Sequence, residues 1–147
     1  MRLLLDTHTL LWFALNDPQL SARAMALILD PANVKLISPA SYWEIAIKMS
    51  LGKYTLSVEY EEFMRNAIDL NGFHYLHIEP RHTAVLVSLP YHHKDPFDRL
   101  MIAQAMVENS PMVSADAAFD QYSINRLWLH ILMILYMFLS LLNELCS

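Results

Sequence analysis

Four acidic residues stand at positions where folding can bring them together: Asp6, Glu44, Asp98 and Asp116. Asp6 closes the apolar run Arg2-Leu3-Leu4-Leu5, and an acid ending a buried strand is costly without a partner. Glu44 lies in the opening turns of an expected helix, Asp98 in the first turn of another, and Asp116 two residues beyond a short apolar stretch ending at Ser114. Gathered without a counter-charge, such carboxylates repel, and one or more takes up a proton. A divalent cation removes that penalty. Hard oxygen donors without thiolate or imidazole partners suit Mg2+ or Mn2+. The same ion turns a bound water into a hydroxide-like nucleophile and stabilises charge on a phosphoryl oxygen, the logic of metal-assisted phosphodiester hydrolysis.

Convergence requires a parallel sheet, because ligand sites of open α/β sheets lie beyond the carboxyl ends of the strands. The chain reads as strands alternating with helices. Residues 2–5 form a buried strand with the polar tip Asp6-Thr7-His8-Thr9, followed by a short helix over residues 10–15 that Asn16-Asp17-Pro18 stops. Ser21 caps a helix reaching Asp30, and residues 35–38 make a second strand. Ser38-Pro39 opens a helix to about Leu51, closed by Gly52. The spacing predicts a further helix within residues 54–71, a third strand over 73–78 and a helix over 80–89. A polar loop leads to a long helix over 97–108, a fourth strand over 112–114, a helical turn over 117–122 and a fifth strand over 124–127.

Each acid also has a plainer reading. Ser41-Tyr42-Trp43-Glu44 has the spacing of a capping box, Asp98 near a helix start favours the macrodipole, and Asp116 suits the N-cap of the turn beginning at Ala117. Lys48 shares the face of Glu44 four residues on, which favours an ordinary ion pair over a phosphate contact. Arg99 could meet RNA, a protein partner or only solvent; Thr7 and Ser114 offer hydroxyls at strand tips or act as local caps. His92-His93 with Asp95 invites a zinc site, but adjacent histidines in a polar loop lack its dependable spacing. Tyr42, Trp43 and Leu11-Trp12-Phe13 could stack on bases, although aromatics at helical spacing more often pack a core or a dimer contact.

The 147 residues make one ordinary domain, and 55% apolar content excludes a disordered chain. Ten basic against fifteen acidic residues give a net charge of −5, the wrong sign for a broad basic face that coats nucleic acid. With the four carboxylates set aside, the remainder is close to neutral, so the acidity is concentrated in a site. The single cysteine, Cys146, forms no internal disulfide, and the N-terminus opens into a strand instead of a signal peptide. A reducing, cytoplasmic setting is expected.

The opening Leu3-Leu4-Leu5-Asp6-Thr7-His8, then Ser41-Tyr42-Trp43-Glu44-Ile45-Ala46-Ile47-Lys48, then Asp95-Pro96-Phe97-Asp98-Arg99-Leu100-Met101-Ile102-Ala103-Gln104-Ala105, and Ser114-Ala115-Asp116 with Phe119 and Tyr122, resemble the PIN-domain ribonucleases. Within them the likeness is to the VapC-type toxins of bacterial toxin-antitoxin pairs. It spans residues 1–128, in order and at the usual separations. The resemblance implies a three-layer α/β sandwich with a central, mainly parallel sheet of four to five strands, an acidic site holding Mg2+ or Mn2+, and endonucleolytic cleavage of RNA. It further implies homodimers and an inhibitory antitoxin that inserts a peptide, often bearing an arginine, near the site. Carried over by position, Asp6 and Asp98 would hold the principal metal, Glu44 would orient the attacking water and Asp116 would complete the cage. Asp95 and Asp120 match family-like positions of second rank, beside Lys48, Arg99, Thr7 and Ser114.

Residues 129–147 depart from that pattern: no formal charge occurs between Arg126 and Glu144. An apolar helical extension seeking cover at an interface is the expected reading, ahead of a membrane anchor, for which the run is marginal in length, and of an altered reading frame. Among competing functions, haloacid-dehalogenase-like phosphatases need a second acid two positions after the first, where this chain has His8. A catalytically decayed scaffold that binds protein or RNA is the non-enzymatic alternative.

Overall fold

The computed structural model describes residues 1–128; the expected apolar extension lies outside them. Its frame is a five-stranded, all-parallel sheet in the order β3-β2-β1-β4-β5. β1 (Arg2–Leu5) runs through the centre, with β2 (Val34–Ile37) and β4 (Met112–Val113) beside it and β3 (His74–Tyr75) and β5 (Arg126–Leu127) at the edges. Leu3, Leu4 and Leu5 have no solvent exposure, as a strand covered on both faces requires.

Alternation along β1 divides the interior into two layers. Leu3 and Leu5 join Ile37 and Val113 against α1 (Thr7–Ala14), α2 (Ala22–Leu29) and α4 (Tyr60–Met64). Leu4 joins Leu36 and Met112 on the opposite face, against α5 (Pro80–Leu86) and α6 (Pro96–Val107). α3 (Pro39–Ser50) touches both layers, sending Ile45 to the first and Ala40 to the second. Register places Leu5 opposite both Ile37 and Val113, so the three central strands end level. Asp6, the start of α3 and the segment after β4 therefore emerge at one edge.

Helix ends follow local chemistry. Ser38 caps α3 by accepting from the Ala40 N–H at 3.1 Å, with Pro39 at the first helical position. Gly52 ends α3 at a φ of +69°, which lets Lys53 N–H reach back to Lys48 C=O at 2.8 Å. Asn109 performs the same service after α6 at a φ of +47°.

Several boundaries differ from expectation; α5 stops at Leu86 instead of 89 and β5 starts at Arg126 instead of 124. α1 begins at Thr7, three residues earlier than the apolar spacing implies, because the Asp6 carboxylate caps it by accepting from Thr9 N–H at 2.6 Å. The expected helix within 54–71 is helical only from Tyr60, and Arg65–Asp69 continues it as a wider π-helical turn. Tyr54 and Leu56 pack on the core at alternate positions, the spacing of extended chain, while the helical face starts with Phe63 and Met64. β3 is two residues long instead of six: as an edge strand it has β2 alone to pair with, and its flanks Phe73 and Leu76 turn inward. Among the described residues no helix is long and apolar enough to cross a membrane.

Candidate metal centre

Asp6 extends β1 by one residue, and its N–H still pairs with Val113 C=O at 3.2 Å. Its side chain is 4% exposed. Burial pushes the Asp6 carboxyl above its ordinary value, against the hydroxyl of Ser114 and the hydrogen bonds from Thr9. Glu44, 5% exposed, does not reach back to form the capping box of its plainer reading: Ser38 is the cap of α3, and the Ser41 hydroxyl turns to Met101 Sδ at 3.3 Å. Glu44 Oε2 accepts instead from Thr7 Oγ1 at 2.6 Å, and Oε1 pairs with Lys48. Thr7 thus ties α1 to α3 through a buried carboxylate.

Asp98 sits in the first turn of α6, whose start is capped by Asp95 accepting from the N–H groups of Phe97 (2.8 Å) and Asp98 (3.2 Å). Burial raises the Asp98 carboxyl, and the charges of Asp95, Glu44, Asp6 and Asp116 raise it further, to about 7. That set of neighbours is the electrostatic signature of convergence. Acids from four separate segments act on one carboxyl at one sheet edge.

The acids do not form a single tight knot, however. The donor atoms that lie within 4.8 Å of one another belong to Asp98, Asp116 and His93; Asp6 and Glu44 stand outside that set and act at longer range. Asp116 caps the 3-10 turn Ala117–Gln121 by accepting from Ala118 N–H at 2.9 Å, and its other oxygen lies 3.1 Å from His93 Nε2. Although partial burial works the other way, those partners hold Asp116 below the usual carboxylate range.

The secondary candidates divide by environment. Ser114, fully buried, accepts from Asp116 N–H at 3.1 Å. Asp120 is exposed and paired through both oxygens with Arg126 at 2.7 Å, while Arg126 also donates to Ser114 C=O at 3.0 Å. That fork braces the segment carrying Asp116. Arg99 is 6% exposed and donates to the carbonyls of Leu89 (2.9 Å), Pro90 (2.8 Å) and His93 (3.4 Å), with its guanidinium 3.8 Å from the Tyr91 ring centroid. It holds the loop before α6 and faces no solvent. Trp12 packs between His8 and Trp128, beside a cleft of about 470 Å³ that Lys53 and Tyr54 also line.

Sequence reasoning passed over His93 because it weighed His92-His93 as a zinc pair. Only His93 turns inward; His92 is exposed against the Tyr122 ring. The available signal was its place five residues before Asp98, one loop away, in a chain where Arg99 can anchor that loop. The donor set, mostly hard oxygens with one carboxyl raised by burial and by its neighbours, is one that could hold a divalent cation, the donor atoms of Asp98, Asp116 and His93 lying close together and Asp6 and Glu44 adding negative charge at longer range.

Solved structures that share the fold include VapBC2 from Rickettsia felis bound to a DNA fragment from their promoter (TM-score 0.63, 15% identity, 86% of this chain and 98% of that one); VapBC-1 from nontypeable Haemophilus influenzae (0.57, 19%, 86% and 97%); and FitAB bound to an IR36 DNA fragment (0.56, 13%, 85% and 93%). No curated protein matches the sequence closely. The family model of the PIN domain matches residues 3–125, and the chain belongs to the PIN-domain family.

Proposed function

We propose that this protein is a metal-dependent endoribonuclease and the toxin of a toxin-antitoxin pair. The observation that carries the reading is the meeting, at the edge of a PIN fold where α/β sheets bind ligands, of donor atoms from Asp98, Asp116 and His93 within 4.8 Å of one another, with the buried Asp6 and Glu44 acting on Asp98. The likeness to VapBC and FitAB structures supports an antitoxin partner. A homodimer and a cytoplasmic setting belong to the same reading.

On this proposal Asp98 and Asp116 would hold Mg2+ or Mn2+, with Asp6 and Glu44 contributing negative charge at longer range. The ion supplies an activated water and neutralises charge on the scissile phosphate. The chain's own residues set the stage for that chemistry. Thr7 fixes Glu44 Oε2 by a buried hydrogen bond, so this carboxylate keeps one orientation. Lys48 neutralises the other oxygen and presents a cation to an approaching phosphate. Capping Asp6 and Asp116 on their own helical turns removes their rotational freedom before any ion arrives. The Asp120–Arg126 fork and Ser114 keep the Asp116 segment against β4.

The test is cleavage of a panel of structured and single-stranded RNAs by the full chain with Mg2+, Mn2+ or a chelator, beside Asp98→Asn and Asp6→Asn. Cleavage that needs the ion and vanishes in both variants, with unchanged circular dichroism, is the expected result. Equal cleavage in chelator, or full activity of Asp98→Asn, would overturn it.

A further inference from the structure

We propose that His93 is a direct nitrogen ligand of the ion held by Asp98 and Asp116, giving a mixed nitrogen–oxygen donor set that favours Mn2+ over Mg2+. This rests on the metal-site reading above and adds one ligand to it.

The buried histidines of this chain provide an internal contrast. His82 has no exposure and uses both ring nitrogens, Nδ1 accepting from Glu79 N–H and Nε2 meeting Glu108, each at 3.0 Å. That is the full satisfaction expected of a structural imidazole. The His93 side chain is 9% exposed, yet its Nδ1 makes no hydrogen bond among the described residues and its Nε2 meets Asp116 alone. Either neutral tautomer leaves Nδ1 equally unpaired. The one polar contact of the ring therefore faces Asp116, on the side where the ion would sit.

Geometry agrees with shared coordination. The 3.1 Å between His93 Nε2 and Asp116 Oδ2 matches the edge of an octahedron, about 3 Å for bonds of about 2.1 Å. Asp98 completes the set within 4.8 Å. The ring is already immobile: it lies 4.7 Å from the Phe119 ring and 5.6 Å from that of Tyr122. The His93 N–H donates to Tyr122 Oη at 2.7 Å, and its carbonyl accepts from Arg99 at 3.4 Å. Ion binding then has little of the His93 ring left to order. Imidazole nitrogen suits transition metals better than Mg2+, which sets the direction of the preference.

Pulsed electron paramagnetic resonance of Mn2+ bound to the full-length protein reads the ligand directly, without any RNA. Wild type should show the 14N coupling of a bound imidazole. His93→Gln should lose that coupling and bind Mn2+ roughly tenfold more weakly by calorimetry, with a smaller loss for Mg2+. Mn2+ bound in an Asp98-dependent way without 14N coupling, or coupling that survives His93→Gln, would overturn the assignment of His93 and leave the carboxylate site standing. Mn2+ affinity that is the same in wild type and Asp98→Asn would mean the site reading itself had failed.

Discussion

Replacing Asp98 by Asn should stabilise the ion-free protein, and increasingly so as pH rises. The Asp98 carboxyl moves from 3.8 to about 7 on folding, through burial first and then through the charges of Asp95, Glu44, Asp6 and Asp116. A carboxyl with a raised folded value leaves stability intact below the unfolded value and removes it as pH climbs to the folded one. The window is therefore about pH 4 to 7. Unscreened, the shift amounts to roughly 4 kcal/mol, and with part of the carboxyl open to water nearer 2 kcal/mol. About a third of that is already lost at pH 5, so between pH 5 and 8 the gap between Asp98→Asn and wild type should widen by about 1 kcal/mol, or roughly 3 °C in Tm. Thermal unfolding in chelator, followed by circular dichroism at both pH values, measures it. Added Mg2+ should raise the wild-type Tm, most at pH 8, and leave Asp98→Asn nearly unchanged. An Asp98→Asn protein less stable than wild type at pH 8, or a gap independent of pH, would refute the electrostatic reasoning.

Arg99→Ala should cost about 3 kcal/mol in urea unfolding, because it strips the donor from the buried carbonyl of Leu89 and the part-buried one of Pro90, and it should open the adjoining Lys94 bond to limited trypsin digestion. Glu108, with a side chain 7% exposed, is held below the usual carboxylate range by the hydrogen bond from His82 and then by the charges of Arg81 and Arg2. Its contribution is present above its ordinary value of 4.5 and lost as pH falls below it. Urea midpoints should show wild type ahead of Glu108→Gln by about 1 kcal/mol at pH 7, with the lead shrinking at pH 4.

What the sequence reveals of this molecule depends on whether one residue carries one signal. The Leu3-Leu4-Leu5 run followed by Asp6, and the Ser-Pro start of α3, each point to a single local structure, and the shared edge follows from them, whereas the order of the strands rests on long-range pairing. Asp6 and Asp116 carry two signals. Each caps a helical turn while pointing its charge into the cluster, so neither the plain nor the chemical reading of them excludes the other. Glu44 went to Thr7 instead of its own helix start, a tertiary partner that no local spacing encodes, while its pair with Lys48 four residues on follows the spacing. Residues 54–59 show the same limit, since Tyr54 and Leu56 pack extended within a stretch whose composition suits a helix. His93 was the hardest to find. Its inward turn depends on Arg99, Tyr122 and Phe119, which lie 6, 29 and 26 residues further along the chain.

Anomalous diffraction at the manganese absorption edge, from crystals of the full chain grown with Mn2+, would locate the ion without reference to activity. The expected map has its strongest peak between the Asp98 and Asp116 carboxylates, on the side facing Asp6 and Glu44. A protein saturated with Mn2+ but lacking any peak at that sheet edge would contradict the metal centre and the nuclease chemistry built on it.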